Sequence, residues 1–353
     1  MLSGGTHREL NERERTILRA IVHLYILHAS PVGSRVLSKY LERDVSLSPA
    51  TIRNVMADLE EGGYITHPHT SAGRMPTDKG YRVYVDTMMQ AELLPREETQ
   101  AVVRNILAAP RDSVHREASR LLGTLSHHIA VVQTPHVRDA RVLRVEMFPI
   151  SSQRLLVVIA LESDLVRTLS IETAHVLDPD SVDDVCRLIN ERISNKPLHA
   201  IQELVQDMAE QVSDSDRALV RLFVEHADLL QRRSTEVVDG LHVAGTQHLL
   251  SLPEFDRPDR MRSVIELVEN QEVIVHLLDS SIDEHGVRVR IGRELPDASL
   301  EEYSLIASTY RVGAATGTVG VIGPKRMNYS RMVSLVDFVS VVLSSSFDQR
   351  SAS

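Results

Sequence analysis

Residues 48–76 constrain this chain more than any other stretch, because they specify one helix with two marked ends and then a turn-rich return. Ser48 can accept from the backbone amides left unpaired at a helix start, and Pro49 suits the first helical position, where no donor is needed. Gly62-Gly63 closes the segment with residues that enter the left-handed conformation freely. Between those ends Ile52, Val55, Met56 and Leu59 fall at helical spacing, so one face is buried and Ala50, Arg53, Asn54 and Ala57 look outward. Tyr64-Ile65-Thr66 then reads as a strand. His67 to Pro76 supplies the Pro, Ser, Gly and Thr of a hairpin-like loop, with Arg74 near its tip or return limb.

Two helices precede this segment. Asn11 to His28 carries Ile17, Leu18, Ile21, Val22, Leu24 and Tyr25 on a broad apolar face and breaks at Ala29-Ser30-Pro31. Ser34 to Leu41 is expected to bury Val36, Leu37, Tyr40 and Leu41 while Arg35 and Lys39 stay outside. After the loop, Thr77-Asp78 caps a further helix to Met89. Helix, short helix, turn, capped helix and two-stranded loop is the order of a winged helix-turn-helix. A bare three-helix scaffold shares the first part of that order, and the linked wing favours the DNA-binding reading. In it, the capped helix enters the major groove, Arg53 reads guanine and Asn54 reads adenine by paired hydrogen bonds. Ala50 and Ala57 keep the helix close to the bases. Arg35, Lys39, Ser48, Thr51 and the wing residues Thr70, Ser71 and Arg74 suit phosphates or a minor groove.

A net charge of -10 sits badly with nucleic acid until it is divided along the chain. Residues 1–90 hold 11 Lys/Arg and 10 Asp/Glu, so the acidity belongs to the remainder and phosphate attraction must be local. At 353 residues the chain needs more than one core. Pro95 and the polar stretch Arg96 to Thr99 mark a boundary. Beyond it, Ile129 to Gln133, Val142 to Phe148, Arg154 to Leu161 and Val166 to Ile171 read as successive strands of one half of an α+β sheet domain. Asp183 to Ile193, Leu198 to Val212 and Arg217 to Arg232 read as helices. Strand signals return at Val273 to Leu277, Val287 to Ile291 and Thr316 to Ile322, and Tyr329 to Leu343 reads as a final helix. The fold class is α+β and multidomain, with a helix-rich block interrupting a strand-rich one. The expected divisions are 1–92, 100–180, 181–258 and 259–347.

The segment Ser71-Ala72-Gly73-Arg74-Met75-Pro76-Thr77-Asp78-Lys79-Gly80-Tyr81-Arg82-Val83-Tyr84-Val85-Asp86 resembles the signature of the HrcA family of heat-inducible transcription repressors. Pro31 to Arg35, Ser48 to Glu60 and Ile322-Gly323-Pro324-Lys325-Arg326-Met327-Asn328-Tyr329 are also similar to that family, whereas residues 180–260 match in little but helical character. The resemblance implies a winged helix over 1–92, a GAF-like domain in two parts, 100–180 and 259–347, and a dimerisation domain inserted over 181–258. It also implies a repressor of chaperone operons that binds the CIRCE inverted repeat as a homodimer. The same resemblance implies that the GroEL chaperonin supports its activity and that this activity falls on heat stress. Symmetry supports the dimer independently, since an inverted repeat presents the same half-site twice. A regulator sensing a metabolite in the GAF-like domain is the alternative.

Other constellations point away from chemistry. His67 and His69 flank Pro68 and His127 adjoins His128, but no cysteine or carboxylate array accompanies them, so no metal site and no cofactor is expected. Cys186, the one cysteine, lies on an apolar helical face with Val182, Val185 and Ile189 and reads as a core thiol. Gly313, Gly317, Gly320 and Gly323 read as turns and close strand packing, and Asp183-Asp184 and Glu301-Glu302 as helix starts. No nucleophile, base and orienting group stand at a recognisable spacing, so no enzyme is expected. The charged first 25 residues leave no room for a secretory leader, and apolar runs such as Leu155 to Leu161 suit strands. A cytoplasmic protein without a membrane span is expected.

Overall fold

The computed structural model describes residues 10–42, 47–68, 73–136, 140–162, 166–173, 178–206, 219–223, 240–279, 286–313 and 315–351. An N-terminal unit comes first. Helix α1 (Glu12–His28) starts at a capping box, in which the Asn11 side chain accepts from the Glu14 amide at 3.0 Å and Glu14 accepts from the Asn11 amide at 2.8 Å. Helix α2 (Ser34–Leu41) and helix α3 (Pro49–Glu61) pack on it around Ile17, Leu18, Ile21, Leu37, Ile52 and Leu59. Strands β1 (Ile65–Thr66) and β2 (Met75–Pro76) then pair antiparallel, and α4 (Asp78–Thr87) follows. Helix α2 departs from expectation. Leu37 and Leu41 are buried, but Val36 and Tyr40 are 52% and 42% exposed. Eight residues give an apolar stripe little room, and only Leu37 and Leu41, four residues apart, are buried.

Residues 96–108, whose first turn read as a boundary, form helix α5 (Arg96–Ala108), with Pro95 at its N-cap and Glu97 and Glu98 in its acidic first turn. Helix α6 (Val114–Ser126) and strand β3 (Ile129–His136) follow. Strand β3 belongs to a five-stranded antiparallel sheet. Its order is β7 (Leu241–Ala244), β3, β10 (Ala315–Pro324), β9 (Tyr303–Val312) and β8 (Arg288–Ile291). Alternate residues divide between its faces. Val132, Ile306, Tyr310, Val319 and Val321 pack toward α5, α6 and the last helix, α12 (Tyr329–Ser351), in a core continuous with that of the N-terminal unit. Val131, Leu305, Ala307 and Ile322 pack toward α9 (Thr246–Leu250), α10 (Pro258–Glu269) and α11 (Gln271–Asp279). The Tyr329–Asp348 stretch of α12 is long and apolar enough to cross a membrane by composition, at mean hydropathy 1.3. Half of it is buried inside the protein, with Leu335, Val336, Val339 and Leu343 on the sheet side.

The remaining strands divide differently from the sequence reading. β4 (Val142–Ser151), β5 (Arg154–Leu161) and β6 (Val166–Glu172) pair only with one another and cover their own core with α7 (Pro179–Ile193) and α8 (Ile201–Gln206). Cys186 is buried in that core, and its thiol donates to the Val145 carbonyl at 3.3 Å. The chain leaves the five-stranded sheet at the end of β3 and rejoins it at β7, which pairs directly with β3 from Gln133↔Leu241 to Ala130↔Ala244. The strands between β3 and β7 in the chain thus form a sheet of their own. Residue alternation tells which face of a strand is buried but not which strand lies beside it. On the side of this small sheet away from α7, Phe148 lies opposite Leu156, Glu146 opposite Val158 and Arg144 opposite Ala160. Val166 lies opposite Ala160 on the third strand, and Phe148 and Val166 are half exposed.

Candidate nucleic-acid interface

Helix α3 is fixed from its buried side. Ile52, Met56 and Leu59 face the core, and the Ser48 side chain accepts from the Thr51 amide at 3.1 Å and shares a 2.9 Å hydroxyl contact with Thr51. Gly63, at φ +74°, supplies the left-handed turn beyond its end. The outward face is open. Ser48, Ala50, Arg53, Asn54 and Ala57 are exposed, and Thr51 is half-buried. The unpaired amides at the N-terminal end favour an anion there, while exposed Asp58 and Glu61 lie at the other end. A negatively charged group is thus favoured at the residue 48 end of α3 over the residue 61 end. Arg35 and Lys39 are exposed on α2, where with Val36 and Tyr40 they border a shallow groove.

Arg74 differs from its expected role. Its guanidinium is half-buried and ion-paired with Glu60 at 2.8 Å, and its backbone exchanges hydrogen bonds of 2.8 and 2.9 Å with Val32. His67 bonds the same carboxylate. Burial alone would raise the Glu60 carboxyl, but His67 and Arg74 outweigh it and hold it below its ordinary value. Arg74 thereby braces the hairpin against α3 instead of presenting a free cation at a wing tip. Gly73 lets this happen, since a Cβ there would stand 2.6 Å from the Val32 carbonyl carbon. Thr70, Ser71 and His69 lie outside the described residues.

The conspicuous motif at 71–86 is mostly a joint. Thr77 caps α4, accepting from the Gly80 amide at 3.1 Å and donating to the Gly63 carbonyl at 2.7 Å. Asp78 accepts from Lys325 at 2.9 Å and from the Arg293 amide at 3.1 Å. Lys79 donates to the Gly62 carbonyl at 2.9 Å and sits 4.3 Å above the Tyr64 ring. Gly80 abuts β1, where a Cβ would meet the Tyr64 carbonyl at 2.1 Å. Tyr81 packs on Tyr329 at 5.7 Å between ring centres, and Arg82 bonds Glu294 and the Val289 carbonyl. From the other side, Arg326 bonds Glu254 and donates to the Ile26 carbonyl at 2.6 Å, and Asn328 donates to Glu92 at 3.1 Å. Sequence reasoning picked out both motifs but not their pairing, because partners nearly 250 residues apart leave no local signal.

Among the described residues the histidines gather no ligand set. His128 is enclosed by the sheet end, and a Cβ on Gly323 would stand 2.9 Å from its Nδ1. His127 meets His248 edge-on. Among the described residues no group of three or more His, Cys, Asp or Glu could hold a metal ion. Gly317 and Gly320 allow close packing, on the Tyr310 ring and the Ile306 carbonyl respectively, and Gly313 turns the chain at φ +62°. Asp183 and Asp184 lie within α7 beyond its Asp178 cap, and Glu301 and Glu302 in the turn before β9, so neither pair begins a helix.

Residues 112–333 match the family model described as HrcA protein C terminal domain. The chain is 38% identical over 350 residues to the heat-inducible transcription repressor HrcA of Chlorobium phaeobacteroides (strain BS1), spanning 96% of this chain and 98% of that protein. It is 35% identical to the same-named repressor of Prosthecochloris aestuarii, at 96% and 98% coverage, and 33% identical to that of Pelotomaculum thermopropionicum, at 95% and 96%. A crystal structure of a hypothetical protein with 26% identity aligns over 97% of this chain and 99% of that one, with a TM-score of 0.57. These matches cover the exposed α3, the joint and the interrupted sheet alike, and the chain belongs to the HrcA family of heat-inducible transcription repressors.

Proposed function

We propose that the chain represses chaperone operons by binding the CIRCE inverted repeat as a homodimer, each protomer inserting α3 of a winged helix into the major groove of one half-site. One observation carries this reading above the others. Helix α3 is anchored by three buried side chains and a hydrogen-bonded cap while Ala50, Arg53, Asn54 and Ala57 remain exposed along one face. Small residues flanking an Arg-Asn pair allow close approach and paired hydrogen bonds to guanine and adenine. Arg35, Lys39, Ser48 and Thr51 serve phosphates, and Arg74 orients the wing that carries Thr70 and Ser71.

The GAF-like domain corresponds to the five-stranded sheet with its helices. The pairing of β3 with β7 supports a dimerising insert that starts after β3 and ends before β7, in place of the 181–258 division. The half-apolar outer face of β4–β6 suits a second copy of the chain, because its rim carries the Arg144–Glu146 and Arg154–Glu172 pairs around apolar Phe148, Leu156 and Val166. Support by GroEL, and its withdrawal on heating, make the supply of folded dimer the switch. The test is a gel-shift titration of the purified protein against an inverted-repeat duplex and against each half-site alone. Dimeric, salt-dependent binding to the full repeat is expected, with far weaker binding to half-sites. A monomer indifferent to every palindrome rejects the reading.

A further inference from the structure

A cleft of about 810 Å³ opens where the N-terminal unit meets the five-stranded sheet, away from the exposed face of α3. That volume suits a small organic ligand. Residues 75–79 with Tyr25 and Tyr81 form one wall, and Glu254, Phe255, Arg257 and Arg260 with residues 324–326 form the other. Six cationic side chains, Lys79, Arg257, Arg260, Arg293, Lys325 and Arg326, line it against four carboxylates, Asp78, Glu254, Glu301 and Glu302. This is a local excess of positive charge in a chain of net charge -10.

The cations differ in how firmly they are held. Lys325 is bonded to Asp78, Arg326 to Glu254 and Lys79 to the Gly62 carbonyl. Arg260 and Arg293 stand 3.6 Å from Glu302 and Glu301, and Arg257 stands 3.8 Å from Asp259, all beyond hydrogen-bond length. These three side chains are 42%, 80% and 78% exposed for Arg260, Arg293 and Arg257. Loose, exposed pairs exchange readily, and the planar guanidinium matches a phosphate with two parallel hydrogen bonds. Deeper in the walls lie apolar Pro76, Phe255 and Pro324, beside Tyr81, whose buried hydroxyl has no hydrogen-bond partner among the described residues.

We propose that this cleft binds a nucleotide, its base against the apolar inner wall near Tyr81 and its phosphates on Arg257, Arg260 and Arg293. The three arginines approach from two separate segments, 257–260 and 293, which suits several phosphates better than a single carboxylate. Because the walls belong to two units, an occupant favours the arrangement in which they are joined.

Isothermal titration calorimetry on the full chain without DNA tests the site, so its outcome does not depend on operator binding. ATP, pyrophosphate and adenosine serve as probes. Saturable ATP binding is expected, with adenosine and pyrophosphate both weaker. The double variant R260A/R293A, which alters exposed side chains, keeps the unliganded Tm and weakens ATP by about tenfold or more, as for loss of charge-assisted contacts. Absence of saturable ATP binding, equal affinity for pyrophosphate, or ATP affinity unchanged in the double variant would each overturn the proposal.

Discussion

His115 is enclosed by Tyr310, Phe347 and His242, and its Nε2 has no partner among the described residues. Desolvation first, and His242 second, pull its pKa from 6.5 down to about 4. His128 reaches about 4 as well, through desolvation and then the nearby His127 and Arg326, with Glu254 opposing. Unfolding returns both rings to their ordinary value. Between those values the unfolded chain binds protons that the folded chain refuses, so stability falls as pH drops from about 6.5 toward about 4. Each ring accounts for up to about 3 kcal/mol of that loss at the acid end. Urea melts at pH 7 and pH 5 are therefore expected to show a smaller difference for His115→Gln than for the parent, and equal differences reject a neutral buried imidazole. On the outer surface the expectation concerns recognition instead. Arg53→Ala should weaken specific operator binding by about 1–3 kcal/mol and relax base choice at one position per half-site. Equal loss on a random duplex in gel shifts removes Arg53 from base reading.

Helix α3 is held at its start by one hydroxyl and at its end by a glycine, so its placement responds to small changes at either end. Ser48→Ala leaves an amide unsatisfied and should lower stability by about 1 kcal/mol, read as a shifted urea midpoint with unchanged slope. A midpoint that does not move shows the cap to be idle. The same marks made α3 legible in the sequence, as Thr77 made α4. Elements without such punctuation were harder. Val273 to Leu277 reads as a strand by composition, yet it lies in helix α11 with Ile274, Val275 and Leu277 buried. In this short segment, enclosure by the sheet outweighs β-branched preference. Helix α5 was hidden because its polar first turn reads as linker until Val102 and Ile106 are seen in the core. Strand β9 is buried on both faces, so it lacks the alternation that marks a strand. At the interface, exposure of Arg53 and Asn54 followed from helical period, whereas the Arg74–Glu60 pair spans 14 residues across a turn and could not.

Two surfaces bear on the proposed assembly and reading of DNA, and each can be altered alone. The outer face of β4–β6 lies on the interrupting unit, with a core separate from those of the sheet and of α3. Phe148→Asp places a charge among its half-exposed apolar residues without touching the buried side. Sedimentation should then show monomer, and operator binding should fall steeply with it; a dimer that persists moves the interface elsewhere. The joint is the second surface. Asp78 and Lys325 are each about one quarter exposed and 2.9 Å apart, between the regime of surface pairs and that of desolvated ones. The Arg293 amide shares the same carboxylate, so removing Asp78 leaves two donors without a partner while removing Lys325 leaves the carboxylate partly satisfied. Asp78→Ala should therefore destabilise more than Lys325→Met. A double-mutant cycle in urea should give a coupling of about 0.5–3 kcal/mol, the range for residues that share a network. In gel shifts both variants should weaken binding to every base sequence alike, because the joint sets where α3 is carried and not what it reads. A coupling near zero, or a changed base preference, would show that the two motifs are independent and that the joint does not transmit position.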